Sequence, residues 1–199
     1  AVKQHPHYSA PLTKGQGRGV SSGFWFNHGG ETAVTLALSE DGTAALSVGT
    51  PDIGGSRASM CQMAAEELGI PYDKVRTTIA DTATLGYNEV SHGSRVTYAS
   101  GLATIKAARD AVKKLCARAA KKWNIDEEAV IWEDGFAKPS GPNAGDFEPI
   151  PLAKLTKSMG RTGGPIVGHF EATPEGAGVS FATHIVDAEV DQETGRAHV

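Results

Sequence analysis

The tripeptide Gly-Ser-Arg occurs twice in the chain, at residues 55–57 and 93–95, and each copy leads into a predicted helix. A helix N-terminus presents unpaired backbone N–H groups and a partial positive charge. Glycine lets a ligand approach the backbone, serine can cap the helix or donate to an anion, and arginine can bind phosphate or carboxylate through two hydrogen bonds. Two such helix ends together could hold a pyrophosphate or another anionic group.

The same residues also have a purely structural interpretation, and the sequence leaves both open. Ser56 and Ser94 can be N-caps of their helices, and Arg57 and Arg95 can be solvated side chains. The repetition of the tripeptide favours binding more than either copy would alone. Neither copy is a phosphate-binding P-loop, because no Gly-Lys-Ser or Gly-Lys-Thr follows, and neither has the Gly-x-Gly-x-x-Gly dinucleotide pattern.

Other reactive residues give weaker signals. His92 directly precedes the second Gly-Ser-Arg copy, where it is either a ligand contact or a loop histidine. His5 and His7 could bind a metal ion, but the sequence shows no third ligand for it. No Ser-His-Asp order with a nucleophile elbow and no acid/base pair of carboxylates stands out, so the sequence predicts no catalytic residue and no metal ligand. Cys61 and Cys116 are far apart within predicted helices, which indicates structural thiols and is compatible with a reducing compartment. We expect a cytoplasmic location.

The pattern of elements predicts an α+β fold with mixed β-sheet layers packed with helices. Asp-Gly turns at residues 41–42 and 134–135 predict hairpins. The first Gly-Ser-Arg copy is followed by a predicted helix that ends at Gly69, and the second by a long alanine-rich helix after residue 94. We interpret residues 1–16 as a connecting segment and residues 17–199 as part of one domain, whose last predicted strand begins at Arg196 and is unfinished at Val199. The aromatic run Phe24, Trp25 and Phe26 is expected in the core.

Composition limits the classes of partner. The formal net charge of -4 argues against a general nucleic-acid binder. No apolar run is long enough to predict a membrane span. Apolar residues make up 40% of the 199 residues, which is typical of a globular domain with a substantial core.

Three blocks of the sequence resemble a known family when they are taken in order. They read DGTAALSVGTPDIGGSRASMCQMAAEELGIPYDKVRTTIADT, then SHGSRVTYASGLATIKAARDAV, then THIVDAEVDQETGRAHV. They are similar to the large, molybdopterin-binding subunit of the xanthine dehydrogenase/aldehyde oxidase family of molybdenum hydroxylases, which includes aerobic-type carbon monoxide dehydrogenases. The resemblance runs from about Gly17 to the end of the chain and rests on several separate blocks.

The resemblance implies that both Gly-Ser-Arg segments belong to a cradle for the molybdopterin cofactor. By position, the cofactor-binding residues are Ile53, Gly54, Gly55, Ser56, Arg57, Ser91, Gly93, Ser94 and Arg95. The sequence departs from the family at Gly55, where a glutamine that bonds near the molybdenum is common. Because the dithiolene sulfurs of the pterin hold the metal in this family, the lack of protein metal ligands agrees with the resemblance.

The resemblance further implies a fragment of a catalytic subunit, inactive alone, whose general-base glutamate would lie beyond Val199. The whole enzyme would hydroxylate an aldehyde, an N-heterocycle or a related small substrate with oxygen from water. Electrons would leave through iron–sulfur clusters and FAD on other domains or subunits, and the cofactor could carry a cytosine dinucleotide. The rest of the large subunit would cover apolar surface of this chain, so the isolated chain is expected to self-associate into an oligomer.

Two other interpretations compete with this one. The first is a non-catalytic module that binds an anionic small molecule at the two Gly-Ser-Arg helix N-termini. The second is a structural or assembly domain in which both turns act only as helix caps. Burial of Arg57 and Arg95 against acidic side chains would favour the assembly interpretation.

Overall fold

A computed structural model describes residues 2–79, 81–175 and 178–199. The chain divides into two compact units, a small unit formed by Ala1–Asn27 with Gly178–Val199 and a large unit formed by His28–Ala177. Among the described residues, no helix is both long enough and apolar enough to cross a membrane.

Strands and helices alternate along the chain. The strands of the described residues are β1 (Gln16–Asn27), β2 (Thr32–Leu38), β3 (Ala44–Val48), β4 (Val75–Ile79), β5 (Val130–Glu133), β6 (Phe136–Pro139), β7 (Ile150–Pro151), β8 (Val167–Ala172), β9 (Gly178–Val190) and β10 (Ala197–His198). The helices are α1 (Ser56–Leu68), α2 (Gly101–Trp123), α3 (Leu152–Thr156) and α4 (Met159–Thr162). A π-helical turn, Val96–Ser100, leads directly into α2, and short 3-10 turns join several elements.

The small unit is an antiparallel sheet in the order β1-β9-β10. Arg18 on β1 lies opposite Asp187 on β9, and its guanidinium donates to both carboxylate oxygens at 2.7 and 2.8 Å. The same guanidinium donates to the carbonyl oxygens of Tyr8 and Ala10 at 2.9 and 2.7 Å. Arg18 therefore ties the first ten residues to the sheet, and its hydrogen bonds lower the pKa of the Asp187 carboxyl.

We expect acid to weaken the small unit through Asp187. Because the folded pKa of Asp187 lies below its unfolded value of about 3.9, its contribution is fully present above that pH and is lost as the pH falls through the folded pKa. Asp187→Asn should therefore reduce the hydrogen-exchange protection of β1 and β9 at pH 5. Between pH 5 and pH 2, the protection should then fall less in this variant than in the unmodified protein. Glu189→Gln on the same strand is the control, since Glu189 bonds only a neutral amide, that of Gln16, at 3.2 Å among the described residues. Equal acid sensitivity of the Asp187→Asn variant and the unmodified protein would contradict this role.

The aromatic run in β1 lies at the surface, and its expected place in the core is wrong. Phe24, Trp25 and Phe26 are 69%, 53% and 51% exposed, and Phe181 on β9 is 81% exposed. Phe24 faces Phe181 across the strand pair, with ring centroids 6.4 Å apart. The small unit has three strands and no α-helix in the described residues, so the sheet has no packed layer of its own over these rings.

A mixed four-stranded sheet in the order β4-β3-β2-β8 forms the centre of the large unit. β2 pairs antiparallel with β3 and β8, whereas β3 and β4 are parallel and α1 connects them. The predicted hairpin around Asp41-Gly42 is confirmed, with Leu38 opposite Ala44. Val34, Leu36 and Leu38 are buried, as their alternation along β2 predicts.

Helix α1 has the predicted position and ends at the predicted residue. Met60, Cys61, Ala64 and Leu68 on α1 are buried. Gly69 adopts the left-handed conformation after the last turn and returns its N–H to the carbonyls of that turn. The α+β fold predicted from the sequence is confirmed, with helices packed on a mixed sheet.

The long helix α2 crosses strand β8 at unusually short range. A Cβ atom on Gly168 of β8 would overlap the carbonyl oxygen of Ala107 and would lie 2.9 Å from the amide nitrogen of Ala111. Ala103, Ala107, Ala111 and Leu115 are fully buried along the same face of α2. The alanine pattern of this helix therefore reflects a contact of backbone against backbone, where larger side chains would keep the layers apart.

A second Asp-Gly hairpin joins β5 to β6, as predicted, and β7 completes this three-stranded sheet. Asp134 and Gly135 have φ angles of 51° and 80°, as a two-residue type I′ turn requires. A Cβ atom on Gly69 would overlap the amide nitrogen of Gly135, and one on Gly135 would overlap the carbonyl oxygen of Gly69. The hairpin turn is thus seated directly against the end of α1, where Trp132 also donates to the Leu68 carbonyl at 3.2 Å.

Both cysteines are free thiols in helices, Cys61 in α1 and Cys116 in α2. Cys61 is buried and Cys116 is half-buried. Burial raises the pKa of both thiols, that of Cys116 to about 11, so both stay protonated near neutral pH. Since the thiolate is the reactive form, these residues behave as apolar packing groups.

Candidate functional site

One cavity of about 300 Å³ lies between Ile53, two residues before the first Gly-Ser-Arg copy, and the stretch that contains the second copy. It is lined by Ile53, Ser91, His92, Ser94, Arg95, Val96 and Thr97. Four of the predicted site residues, Ile53, Ser91, Ser94 and Arg95, therefore line this cavity. The other predicted site residues, Gly54, Gly55, Ser56, Arg57 and Gly93, belong to the same two segments but not to this lining.

The backbone at Gly54 and Gly55 has a conformation that explains the glycines. Their φ angles are 63° and 80°, in the left-handed region where L side chains are strained. A Cβ atom at either position would meet no other atom within 4 Å among the described residues. The turn therefore requires glycine for its backbone angles and presents its main chain to open space.

The N-terminus of α1 is capped by Asp52, which the sequence analysis did not identify. One carboxylate oxygen of Asp52 accepts from the Arg57 backbone N–H at 3.0 Å, and the other lies 3.6 Å from Arg57 Nε. The Arg57 side chain is 58% exposed. A negative charge from the protein itself thus already occupies the positive end of this helix.

Ser56 does not cap the helix that it begins. Its side chain is buried, and its hydroxyl donates to the carbonyl of Pro51 at 3.5 Å. Its own N–H donates to the carbonyl of Ile53 at 3.3 Å, and the N–H of Ala58 donates to the carbonyl of Gly55 at 3.0 Å. Since the first N–H groups of α1 have partners in the turn, this helix end has little capacity left for an anion.

The second segment approaches α2 through a distorted turn. Gly93 and Ser94 have φ angles of 57° and 58°, and Ser94 is one of few non-glycine residues in that region. A Cβ atom on Gly93 would lie 2.9 Å from the Cβ of His28, whose N–H donates to the Gly93 carbonyl at 2.9 Å. The π-helical turn that follows is a feature found frequently at functional sites.

Arg95 is fully buried and fastens two segments of the chain together. Its guanidinium donates to the carbonyls of Gly29, Gly30 and Glu31 at 2.6, 3.0 and 2.9 Å, and to that of Glu89 at 2.9 Å. Burial lowers the pKa of Arg95 and nearby Glu89 raises it, although an arginine remains charged in either case. The side chain therefore positions the second Gly-Ser-Arg copy. Its guanidinium hydrogen-bonds backbone carbonyls, whereas the sequence analysis expected it to hydrogen-bond a ligand.

Ser91 lines the cavity and carries a hydroxyl that has no hydrogen-bond partner among the described residues. Its hydroxyl oxygen is buried and makes no hydrogen bond to any described residue. Thr77 on β4 is the other side chain in the described ranges with such a hydroxyl, and it does not line the cavity. Because buried hydroxyls in proteins are nearly always hydrogen-bonded, Ser91 fits a site for a polar ligand.

The structure also brings together His28, Glu89 and His92, a cluster that the sequence analysis missed. One ligand atom from each side chain lies within 4.8 Å of the others. The two imidazole rings are 4.9 Å apart at their centroids and are tilted by 34°. Glu89 and His92 are three positions apart and could have been noticed as a pair, but His28 belongs to a distant loop.

Comparison with known proteins gives the family of this chain. A family model for the molybdopterin cofactor-binding domain matches residues 7–199. The nicotine 6-hydroxylase large subunit of Paenarthrobacter nicotinovorans is 32% identical over 129 residues, which cover 62% of this chain and 16% of that protein. The aldehyde oxidoreductase molybdenum-binding subunit PaoC of Escherichia coli is 27% identical over 184 residues, which cover 92% of this chain and 24% of that protein.

Solved structures show the same fold. Carbon monoxide dehydrogenase from Oligotropha carboxidovorans superposes with a TM-score of 0.82 at 21% identity, over 92% of this chain and 24% of that chain. Quinoline 2-oxidoreductase from Pseudomonas putida superposes with a TM-score of 0.79 at 17% identity, over 92% of this chain and 26% of that chain. The chain spans about a quarter of these structures and a quarter or less of the two curated relatives. It belongs to the molybdopterin cofactor-binding domain family, within the xanthine dehydrogenase/aldehyde oxidase type of large subunit that its sequence resembles.

Proposed function

We propose that this chain forms part of the molybdopterin cradle in the catalytic large subunit of a molybdenum hydroxylase. The observation that carries the proposal is the cavity shared by Ile53 of the first segment and Ser91 and Ser94 of the second, with the Ser91 hydroxyl lacking a partner in the described part of the chain. A pterin carries many hydrogen-bonding atoms, so a wall of hydroxyls and accessible backbone suits it better than a cluster of charges.

The predicted site residues divide into two groups in this proposal. Ser91 and Ser94 would hydrogen-bond the cofactor through their side chains, and Gly54, Gly55 and Gly93 would present main-chain groups to it. Ile53 would contribute apolar contact, while Ser56, Arg57 and Arg95 hold the two turns in place. When bound, the cofactor supplies the redox chemistry of substrate hydroxylation, which the side chains of this chain do not provide.

We extend the proposal to the whole enzyme from the names of its relatives. Those names describe a nicotine hydroxylase and an aldehyde oxidoreductase, which support an N-heterocycle, an aldehyde or a related small molecule as substrate. Water as the oxygen source is part of the proposal because the resemblance to the molybdenum hydroxylases implies it. "Large subunit" in one name supports partner subunits, which we propose carry the iron–sulfur clusters and FAD. A cytosine dinucleotide form of the cofactor, a cytoplasmic location consistent with free Cys61 and Cys116, and an oligomeric assembly belong to the same proposal.

The alternative of a module that grips an anion at two Gly-Ser-Arg helix ends has no support from the geometry. Asp52 occupies the end of α1, and the Arg95 guanidinium is committed to carbonyls. Burial of both arginines against acidic side chains, which would favour the assembly interpretation, is not found: Arg57 is exposed, and Arg95 is buried near Glu89 but donates its hydrogen bonds to backbone carbonyls.

Ser91→Ala separates cofactor binding from folding. We expect the matured large subunit to retain less molybdenum and pterin, with cofactor affinity reduced about five- to tenfold for one lost hydrogen bond. The free energy of unfolding of the cofactor-free protein should stay the same or rise, because a buried hydroxyl without a partner is removed. Metal analysis and pterin extraction after matched gel filtration, together with urea unfolding, measure the two quantities.

Thr77→Val is the matched control for this experiment. It removes the other buried hydroxyl that lacks a partner among the described residues, and its position on β4 is outside the cavity. Its effect on stability should resemble that of Ser91→Ala, while molybdenum and pterin contents stay at the level of the unmodified protein. Equal cofactor content in both variants and the unmodified protein would refute the placement of the cofactor at Ser91.

A further inference from the structure

We propose that His28, Glu89 and His92 form a binding site for a divalent transition-metal ion, and we take Zn²⁺ as the ion to test. Each residue offers one ligand atom, and these atoms lie within 4.8 Å of one another. The proposal concerns a protein-ligated ion and is independent of the molybdenum that the cofactor would carry. His92 also lines the cavity assigned to the cofactor, so the ion is tested on the cofactor-free protein, where its binding is measured separately from the proposed function.

The ligand set is the first argument. Two imidazoles and one carboxylate form a combination used for zinc and for other first-row transition metals, with coordination positions left for water or a further ligand. Around a tetrahedral zinc with bonds of about 2.0–2.1 Å, ligand atoms are about 3.4 Å apart. Because the ligand atoms lie no more than 4.8 Å apart, closing the site needs shifts of at most about 1 Å for each side chain, within reach of small χ rotations.

The availability of the ligands is the second argument. In the described part of the chain, neither imidazole makes a side-chain hydrogen bond to protein, and the Glu89 carboxylate forms no salt bridge. A metal ion would thus displace no hydrogen bond or salt bridge between these side chains and other described residues. His92 is exposed, which gives an ion a path from solvent, while Glu89 is half-buried and holds its carboxylate against Gly30.

The two loops that carry the three ligands are already joined by hydrogen bonds. The His28 N–H donates to the Gly93 carbonyl and the Glu89 N–H donates to the Glu31 carbonyl, both at 2.9 Å. Arg95 binds the carbonyls of both loops, at Gly29 and at Glu89. Since the backbone of all three ligands is held before the ion arrives, binding costs little additional ordering of the chain.

The nearby charge of Arg95 indicates which ions would bind. Its guanidinium lies close enough to interact with Glu89 but donates its hydrogen bonds to carbonyl oxygens. A cation held by charge alone, such as Mg²⁺ or Ca²⁺, prefers several oxygen ligands and meets only one carboxylate here. The positive charge repels Zn²⁺ as much as Mg²⁺, but only Zn²⁺ gains strong bonds to two imidazole nitrogens that offset the repulsion, so Zn²⁺ should be selected over Mg²⁺.

The test is metal binding to the protein after dialysis against a chelator. Zn²⁺ is titrated by calorimetry, the zinc content per chain is measured after gel filtration, and Co²⁺ is used as a coloured probe of the ligand set. The variants are His92→Ala and Glu89→Gln, the second of which keeps the size and shape of the side chain. His169→Ala is the matched control, since His169 also faces a glutamate, Glu171 at 3.7 Å, but the described residues supply no third ligand there.

We expect one Zn²⁺ per chain for the unmodified protein and for His169→Ala. His92→Ala and Glu89→Gln should each weaken Zn²⁺ binding at least tenfold and reduce the Co²⁺ absorption bands, while Mg²⁺ should not compete. Circular dichroism of each variant confirms folding, and Glu89→Gln remains informative if His92→Ala does not fold. Absence of saturable Zn²⁺ binding, or unchanged affinity in Glu89→Gln, would overturn the proposal.

Discussion

Gly168→Ala should destabilise the large unit by about 3 kcal/mol or more, because the added methyl group has no space and overpacking of this kind is costly. A Cβ atom at position 168 would overlap the Ala107 carbonyl oxygen and would lie 2.9 Å from the Ala111 nitrogen. Both are main-chain atoms of α2, so no side-chain rotation relieves the overlap and the helix itself must move off β8. For a protein of this size, such a loss corresponds to a fall in melting temperature of roughly 6–12 °C.

Thermal and urea unfolding of Gly160→Ala provide the comparison. Gly160 lies in α4, and a Cβ there would meet no atom within 4 Å in the described ranges. Alanine in a helix without steric conflict stabilises slightly, by about 0.4–1 kcal/mol. Similar unfolding curves for the two variants would show that α2 and β8 do not approach as closely as the structure places them.

Arg95→Met should have the second large effect, a loss of about 3 kcal/mol in unfolding free energy, since buried carbonyls are left without a donor. Arg95 is fully buried and serves four carbonyl oxygens on two segments, residues 29–31 and Glu89. Without it, hydrogen-exchange protection of the Glu89 amide should fall, because that N–H bonds Glu31 across the same junction. Arg95→Lys should recover only part of the loss, since an ammonium cannot reproduce the planar fork of donors.

The other copy of the tripeptide supplies a matched control for Arg95. Arg57→Met removes an arginine that is 58% exposed and whose guanidinium lies 3.6 Å from Asp52. Exposed ion pairs contribute about 0–1 kcal/mol, so this variant should unfold almost as the unmodified protein does. Equal losses in Arg57→Met and Arg95→Met would contradict the assignment of Arg95 as the residue that joins the two loops.

Local chemistry was sufficient to predict most of the elements. Both Asp-Gly turns form hairpins, and Gly69 ends α1. The alternation in β2 also identified its buried face correctly. These features depend on residues within a few positions of one another, where backbone preference and side-chain period act directly.

The site was only partly predictable, because its residues act over long distances in sequence. The two Gly-Ser-Arg copies are identical as text, yet Arg57 is exposed and Arg95 is buried, and the difference comes from the loop at residues 29–31. The pairing of His28 with His92 arises in the same way. Phe24 was assigned to the core on hydrophobicity alone, which does not reveal whether a sheet has a second layer.

Gly69 and Gly135 face each other in a contact that limits how this sequence can change over time. A Cβ on either residue would overlap a main-chain atom of the other, so a mutation at one cannot be compensated by a smaller side chain at its neighbour. Each residue already has the smallest side chain, and the atom that it would strike belongs to a backbone that every amino acid shares. Homologous sequences that keep this hairpin seated on α1 are therefore expected to keep both glycines, and those that lose one should lose the contact altogether.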